Sequence, residues 1–205
     1  MRAPDTDWFR SLHYGGTHVC LWWAVSPNGT LYIADELVHS KGLISDLCLA
    51  LTKKTKALKI EQIRYTVADE ETMLGKNKPG DEGETRADTF RHNGIRLRTT
   101  THDPVQGWTR VRELFGLRPD KRPWLTIDPK CVVLIRALTN AVSDPQDEES
   151  VLESVTDQPL RALRIGAMSR PAPKPFKAPP LPKNAVGHLL EECRRGPITS
   201  GLAWR

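Results

Sequence analysis

Three side chains with chemistry to offer stand where expected elements begin or end. His13 closes the run "RSLHYGG", in which a strand lifts into a glycine turn, Asp69 closes "IEQIRYTVADEE", and Asp157 opens the helix-like "TDQPLRALRIGAM". A strand end of the first kind suits a carboxylate that holds a metal, so the imidazole at position 13 is the odd member of the set. Carboxylates gathered at adjacent strand ends and on a later helix can hold two Mg²⁺ ions roughly 4 Å apart, which activate a water and stabilise the leaving oxygen in phosphodiester hydrolysis. Hard cations need oxygen ligands, so a histidine in place of an acid changes the chemistry.

The remaining candidates divide by type. Trp108 and Trp124 stand near Arg110, Arg112, Arg118, Lys121 and Arg122, a basic and aromatic cluster that suits a DNA backbone and equally a solvated helix face. His18, His39, His92 and His102 show no ligand spacing, and Cys20, Cys48, Cys131 and Cys193 lack the CxxC or Cys/His pairing that zinc requires. Cys20 and Cys48 have apolar neighbours and read as buried free thiols in a reducing compartment. Ser11 beside His13 is expected to point to the opposite face of its strand, and so to form no nucleophile–base pair. Asp103 and Asp128, each next to a proline, read as cap and turn residues.

The elements that must position these groups follow from local patterns. "HVCLWWAV" is a continuous apolar run of β-formers, and "PNG" turns it into "TLYIADEL", which makes a hairpin. Residues 42–59 carry an apolar stripe through Leu43, Leu47, Leu51 and Leu58, which predicts an amphipathic helix. A strand from Ile60 to Asp69, a mobile loop over 75–84, a helix over 85–92 ended by Asn93–Gly94, and a strand in "IRLRTTT" follow, and this order favours a parallel pair with a crossover. Asp103 and Pro104 open a further helix, "PWLTID" is a short strand, and residues 131–142 and the "QPLRALRIGAM" run predict two more helices. The sum is an α/β mixed sheet flanked by helices with its first strands antiparallel, a pattern that suits an RNase H-like fold among several. Residues 1–169 are expected to form this domain. Residues 170–205 open with "RPAPKPFKAPPLPK", which predicts an extended Pro/Lys-rich tail, a linker or a docking peptide, with a possible short helix in "AVGHLLEECRR".

From Leu12 to Met168 the chain resembles the C-terminal nuclease domain of tailed-phage terminase large subunits. The likeness rests on "LHYGGTHVCLWWAVSPNGTLYIADEL", "VADEE", "TFRHNGIRLRTTTHDPVQGWTRVRELF", "PWLTIDPKCVVLIRAL" and "TDQPLRALRIGAM", which occur in the family's order and spacing. The resemblance implies an RNase H-like fold in a phage or prophage protein, and a role in packaging and cutting double-stranded viral DNA with Mg²⁺ or Mn²⁺. The family's first metal acid falls on His13, and its second falls on Asp69, where Glu70 replaces the usual proline. At the third, Asp157 matches the leading acid, while Arg161 stands where a second acid belongs. Glu36 resembles a further position at the end of the second strand. Two of the three core positions have therefore lost a carboxylate, and the charge of Arg161 opposes a divalent cation. This implies a degenerate site with weak or no nuclease activity; the alternative is a non-catalytic module that keeps the fold and binds DNA or packaging proteins. The pattern GxxxxGK[ST] is absent, so this stretch is not expected to run a packaging motor alone; the resemblance offers a separate ATPase, a portal or a small terminase subunit as partners, and the sequence does not choose among them.

Composition agrees with these readings without choosing among them. The 205 residues can bury one core of roughly 100–170 residues plus an appendage. A net charge of +5 mildly favours polyanions. Neither a signal peptide nor an apolar run of about 20 residues is present, which leads to the expectation of a protein in the cytoplasm of a bacterial host, with no membrane partner.

Overall fold

The structure, a computed structural model, describes residues 6–40, 42–75, 83–100, 103–118, 120–144, 147–151 and 158–170. The apolar run His18–Val25 forms β2, and every residue of it is buried. A strand covered on both faces reads as a continuous apolar stretch rather than an alternation. β2 pairs antiparallel with β1 (Asp7–His13) and with β3 (Leu31–His39), and Gly29, at φ 84°, makes the turn into β3. β4 (Tyr65–Ala68) lies parallel to β1, β5 (Leu97–Thr99) parallel to β4, and β6 (Leu125–Ile127) parallel to β3. The resulting six-stranded mixed sheet has the order β5-β4-β1-β2-β3-β6.

Helices cover both faces, which is why Trp22 and Trp23, pointing opposite ways, are each wholly buried. On one face α1 (Ile44–Ala57) lays Ile44, Leu47, Cys48 and Leu51 against Leu12, Cys20 and Trp22. Phe90 of α3 (Arg86–His92) completes that layer, and the helix starts with a reciprocal capping box between Thr85 and Asp88. On the other face α4 (Pro104–Phe115), α5 (Val132–Thr139) and α6 (Gln158–Met168) pack over Phe9, Leu21, Trp23 and Ile33. Asp103 caps α4 through the Gln106 amide at 3.2 Å, with Pro104 in the first turn. Both indole N–H groups find partners: Trp22 donates to Thr55 Oγ1 at 3.0 Å and Trp23 to Ser11 Oγ at 2.9 Å. Gly166 of α6 lies flat against the Trp23 indole, where a Cβ would collide with the ring.

Three expectations change. The strand before Asp69 begins only at Tyr65; Ile60 is buried outside it, next to Lys59, whose φ of 53° turns the chain out of α1. Asp69 is followed by a short helix, α2 (Glu70–Leu74). A small hairpin, β7 (Ser143–Asp144) with β8 (Asp147–Val151), follows α5, and its polar sequence carries no alternation that would announce it. Residues 76–82 of the expected loop and the tail from residue 171 onward lie outside the described residues. Cys20, Cys48 and Cys131 are buried free thiols, and burial pushes Cys20 up to about 12 and Cys48 to about 11. Among the described residues no helix is long and apolar enough to cross a membrane.

Candidate functional site

Parallel pairing sets the site. Leu12 of β1 faces Ala68 of β4 in register, so the next residues, His13 and Asp69, emerge side by side from two adjacent strand ends. His13 Nδ1 lies 3.1 Å from Asp69 Oδ2, and each side chain is only 3 % exposed. The other Asp69 oxygen accepts from the Thr72 amide at 2.8 Å, because Asp69 is the N-cap of α2. "ADEE" is thus a strand end and a helix start at once, with Glu70 and Glu71 in the favourable first turn. Burial opposes ionisation of Asp69, but hydrogen bonds from His13 and Thr72 outweigh it and hold the carboxyl below its usual value.

The turn after β1 and the start of α6 close over the imidazole. A Cβ on Gly15 would stand 2.6 Å from His13 Nε2 and 2.5 Å from Gln158 Oε1, so any side chain there would have to push the imidazole and the Gln158 amide aside. Arg161, half-buried, sits one turn further along α6 and has interactions of its own. Asp157 lies outside the described residues, as do His102 and Cys193.

Glu36 reaches the same face of the sheet by a bulge. Trp23 pairs with Ile33 but Trp22 pairs with Asp35, which leaves Ala34 as the extra residue and places Glu36 opposite Leu21. Its two carboxylate oxygens accept the amides of Val133 at 2.7 Å and Leu134 at 2.8 Å, at the N-terminus of α5. Glu36 therefore serves as the cap that α5 lacks from its own side chains. Sequence reasoning missed this role, which no local signal carries.

Other candidates are redistributed. Ser11 is two residues from His13, so the two share a face, contrary to the expectation of opposite faces; the hydroxyl is taken up by Trp23 instead. The basic cluster does not stay together. Trp108, expected at the surface, is 6 % exposed, with the Arg164 guanidinium 5.6 Å from its ring centroid. Arg110 is also buried, bound to Glu113 at 2.7 Å and to the Arg170 carbonyl at 2.8 Å, because helical periodicity turns both residues inward. Arg112, Lys121 and Arg122 are exposed. Arg118 pairs with Asp120 at 2.5 Å and lies over Trp124. Asp128 is a turn residue, as expected, accepting from the Lys130 amide and the Tyr32 hydroxyl.

A divalent cation makes a specific demand that can be compared with these donors. Hard cations take six or more oxygens in most protein sites. Here one carboxylate already has both oxygens occupied, one by the Thr72 amide and one by the His13 imidazole, and among the described residues no group of three or more His, Cys, Asp or Glu side chains could hold a metal. The described donor set does not fit a pair of Mg²⁺ or Mn²⁺ ions.

Neither family models nor curated proteins match the chain. Solved structures do. The nuclease domain of the P22 large terminase superposes with a TM-score of 0.62 at 13% identity, over 82% of this chain and 84% of that one. The large terminase nuclease domain of bacteriophage SPP1, solved with bound Mn, gives 0.52 at 18% identity over 78% and 84%. The large terminase of a thermophilic bacteriophage in complex with ATP-gamma-S gives 0.62 at 14% identity, over 82% of this chain and 41% of that one. The chain thus spans about two fifths of that larger protein and nearly all of an isolated nuclease domain.

Proposed function

From a chain with the fold of phage large terminase nuclease domains, we propose a nuclease-like domain of a phage or prophage packaging machine that cuts double-stranded DNA weakly or not at all. The observation that carries this reading is the buried 3.1 Å contact between His13 and Asp69. In this reading His13 fills the place of the first metal acid and occupies an oxygen of the second. A hard cation at Asp69 would have to displace an N–H donor and accept an imidazole nitrogen where it prefers an anionic oxygen. Arg161 in place of a further acid adds a charge of the wrong sign. Asp69 and Asp157 remain as the acids that Mg²⁺ or Mn²⁺ would use.

The fold then serves to bind DNA, with an ATPase, a portal or a small terminase subunit as packaging partners. Purified protein incubated with plasmid and Mn²⁺ is expected to leave the DNA uncut, and His13→Asp/Arg161→Asp to restore metal-dependent cutting. Efficient cleavage by the unaltered protein, at low protein concentration and abolished in Asp69→Ala, would sink the proposal. A folded but inactive double variant would show that the acids have been placed at the wrong positions.

A further inference from the structure

A cavity of about 470 Å³ opens at the β4–β5 edge of the sheet, lined by Arg64, Tyr65, Arg98, Thr99, Ser169 and Arg170, with no carboxylate in its lining. A larger cavity of about 700 Å³ elsewhere is lined by Arg118, Arg122 and Lys130 but also by Asp120 and Asp128, which pair with Arg118 and Lys130. The larger cavity keeps one cation, Arg122, in excess of its carboxylates, whereas the smaller has none in its lining to set against its arginines.

Its arginines are positioned by rings. Trp23, Phe9 and Tyr65 stack in register across β2, β1 and β4, with centroids 5.3 and 5.0 Å apart. Arg98, reaching in from β5, lies 5.0 Å from the Tyr65 centroid, and Arg170, just past α6, lies 5.8 Å from that of Phe9. Arg64 is paired with Asp7, but Arg98 and Arg170 have no carboxylate partner among the described residues. A guanidinium held by an aromatic face keeps its N–H fork for a ligand, and that fork matches phosphate oxygens. Ser169 Oγ donates to the Gly166 carbonyl at 2.8 Å, so the Tyr65 hydroxyl is the donor in its 3.4 Å contact with Ser169 Oγ, and the guanidiniums are the donors the notch offers. Tyr65 has Phe9 against one side and Arg98 over its ring, so no open aromatic platform is offered to a base.

We propose that this notch binds a backbone phosphate of DNA, four residues down β4 from Asp69, or ~13 Å at about 3.3 Å per residue. The inference rests on the DNA-binding reading above and adds to it a specific anchor. The test is fluorescence anisotropy of a duplex of about 20 base pairs across a salt series, with the full chain, Arg98→Ala/Arg170→Ala, the exposed single variant Arg98→Glu, and Arg118→Ala/Arg122→Ala for comparison. Thermal melting with inorganic phosphate is the second arm. The proposal expects the Arg98/Arg170 variant to bind on the order of tenfold more weakly, with the salt slope reduced by about 1, as the loss of one phosphate contact requires. Arg98→Glu should weaken binding at least as much as loss of that one side chain, and it covers the case in which the double variant does not fold. Undiminished binding by a folded variant overturns the proposal while leaving DNA binding intact. If the unaltered chain ignores DNA but phosphate raises its Tm and not that of the variant, the notch stands as a free-phosphate site and the DNA reading fails. No response to either ligand overturns both.

Discussion

Asp69 and Glu36 are buried carboxylates on the same side of one sheet, and each has both oxygens occupied. What occupies them differs. Glu36 is held by two amides of α5, groups that any sequence forming that helix would supply. Asp69 is held by one amide of α2 and by the side chain of His13, which a single substitution can remove. A carboxylate bound wholly by backbone is committed to the fold; one bound half by a side chain stays within reach of other chemistry.

The sharpest way to break this contrast is Glu36→Ala, which strands two buried N–H groups and is expected to cost about 3 kcal/mol, read from the urea midpoint. Glu36→Gln should recover part of that loss, since one oxygen remains to accept; a cost below about 1 kcal/mol for the alanine would show that α5 does not depend on this cap. Next comes Gly15→Ala, with an expected loss of about 2 kcal/mol from forced contact with His13 and Gln158. That loss should shrink when His13 is also alanine, and equal losses in the two backgrounds would separate the glycine from the pair. His13→Ala alone should cost about 1.5 kcal/mol, because Asp69 keeps its cap but loses a buried partner.

The smallest effect is a pH dependence. The carboxyl of Asp69 is held below its unfolded value of about 3.9, so its ionised form adds stability above that pH. This contribution disappears as the pH falls through the still lower folded value. The stability difference between the unaltered chain and Asp69→Asn should therefore be constant near neutrality and narrow below about pH 4. A difference that widened on acidification would reverse the assignment of Asp69 as the ionised partner.

Much of the scaffold was legible because its signals are local. The eight-residue apolar run is β2, Asp103–Pro104 opens α4, and the strand–helix–strand order around α3 gives a parallel pair, all as the sequence predicts. The candidate site was half legible. His13 and Asp69 read as strand ends in the sequence and do meet, since parallel register brings the ends of β1 and β4 level. The cap formed by Glu36 was hidden, because its partners are about a hundred positions away and its orientation depends on a bulge at Ala34. The basic cluster misled for a similar reason: nearness in sequence does not say which side of a helix faces the core, and Trp108 and Arg110 face it.

The sequence specifies most of the elements and the chemical type of each strand end, since periodicity, caps and turn residues act within a few positions of themselves; α2 and the β7–β8 hairpin carry no such signal. It also determined that position 13 carries an imidazole and position 161 a guanidinium where the resemblance leads one to expect acids. What those groups touch is set by the fold. It joined His13 to Asp69, gave Glu36 to α5, and collected Arg64, Arg98 and Arg170 around one notch from separate stretches of chain. The reason is physical: hydrogen bonding, burial and charge compensation depend on distances in space, and strand register and helix packing set those distances.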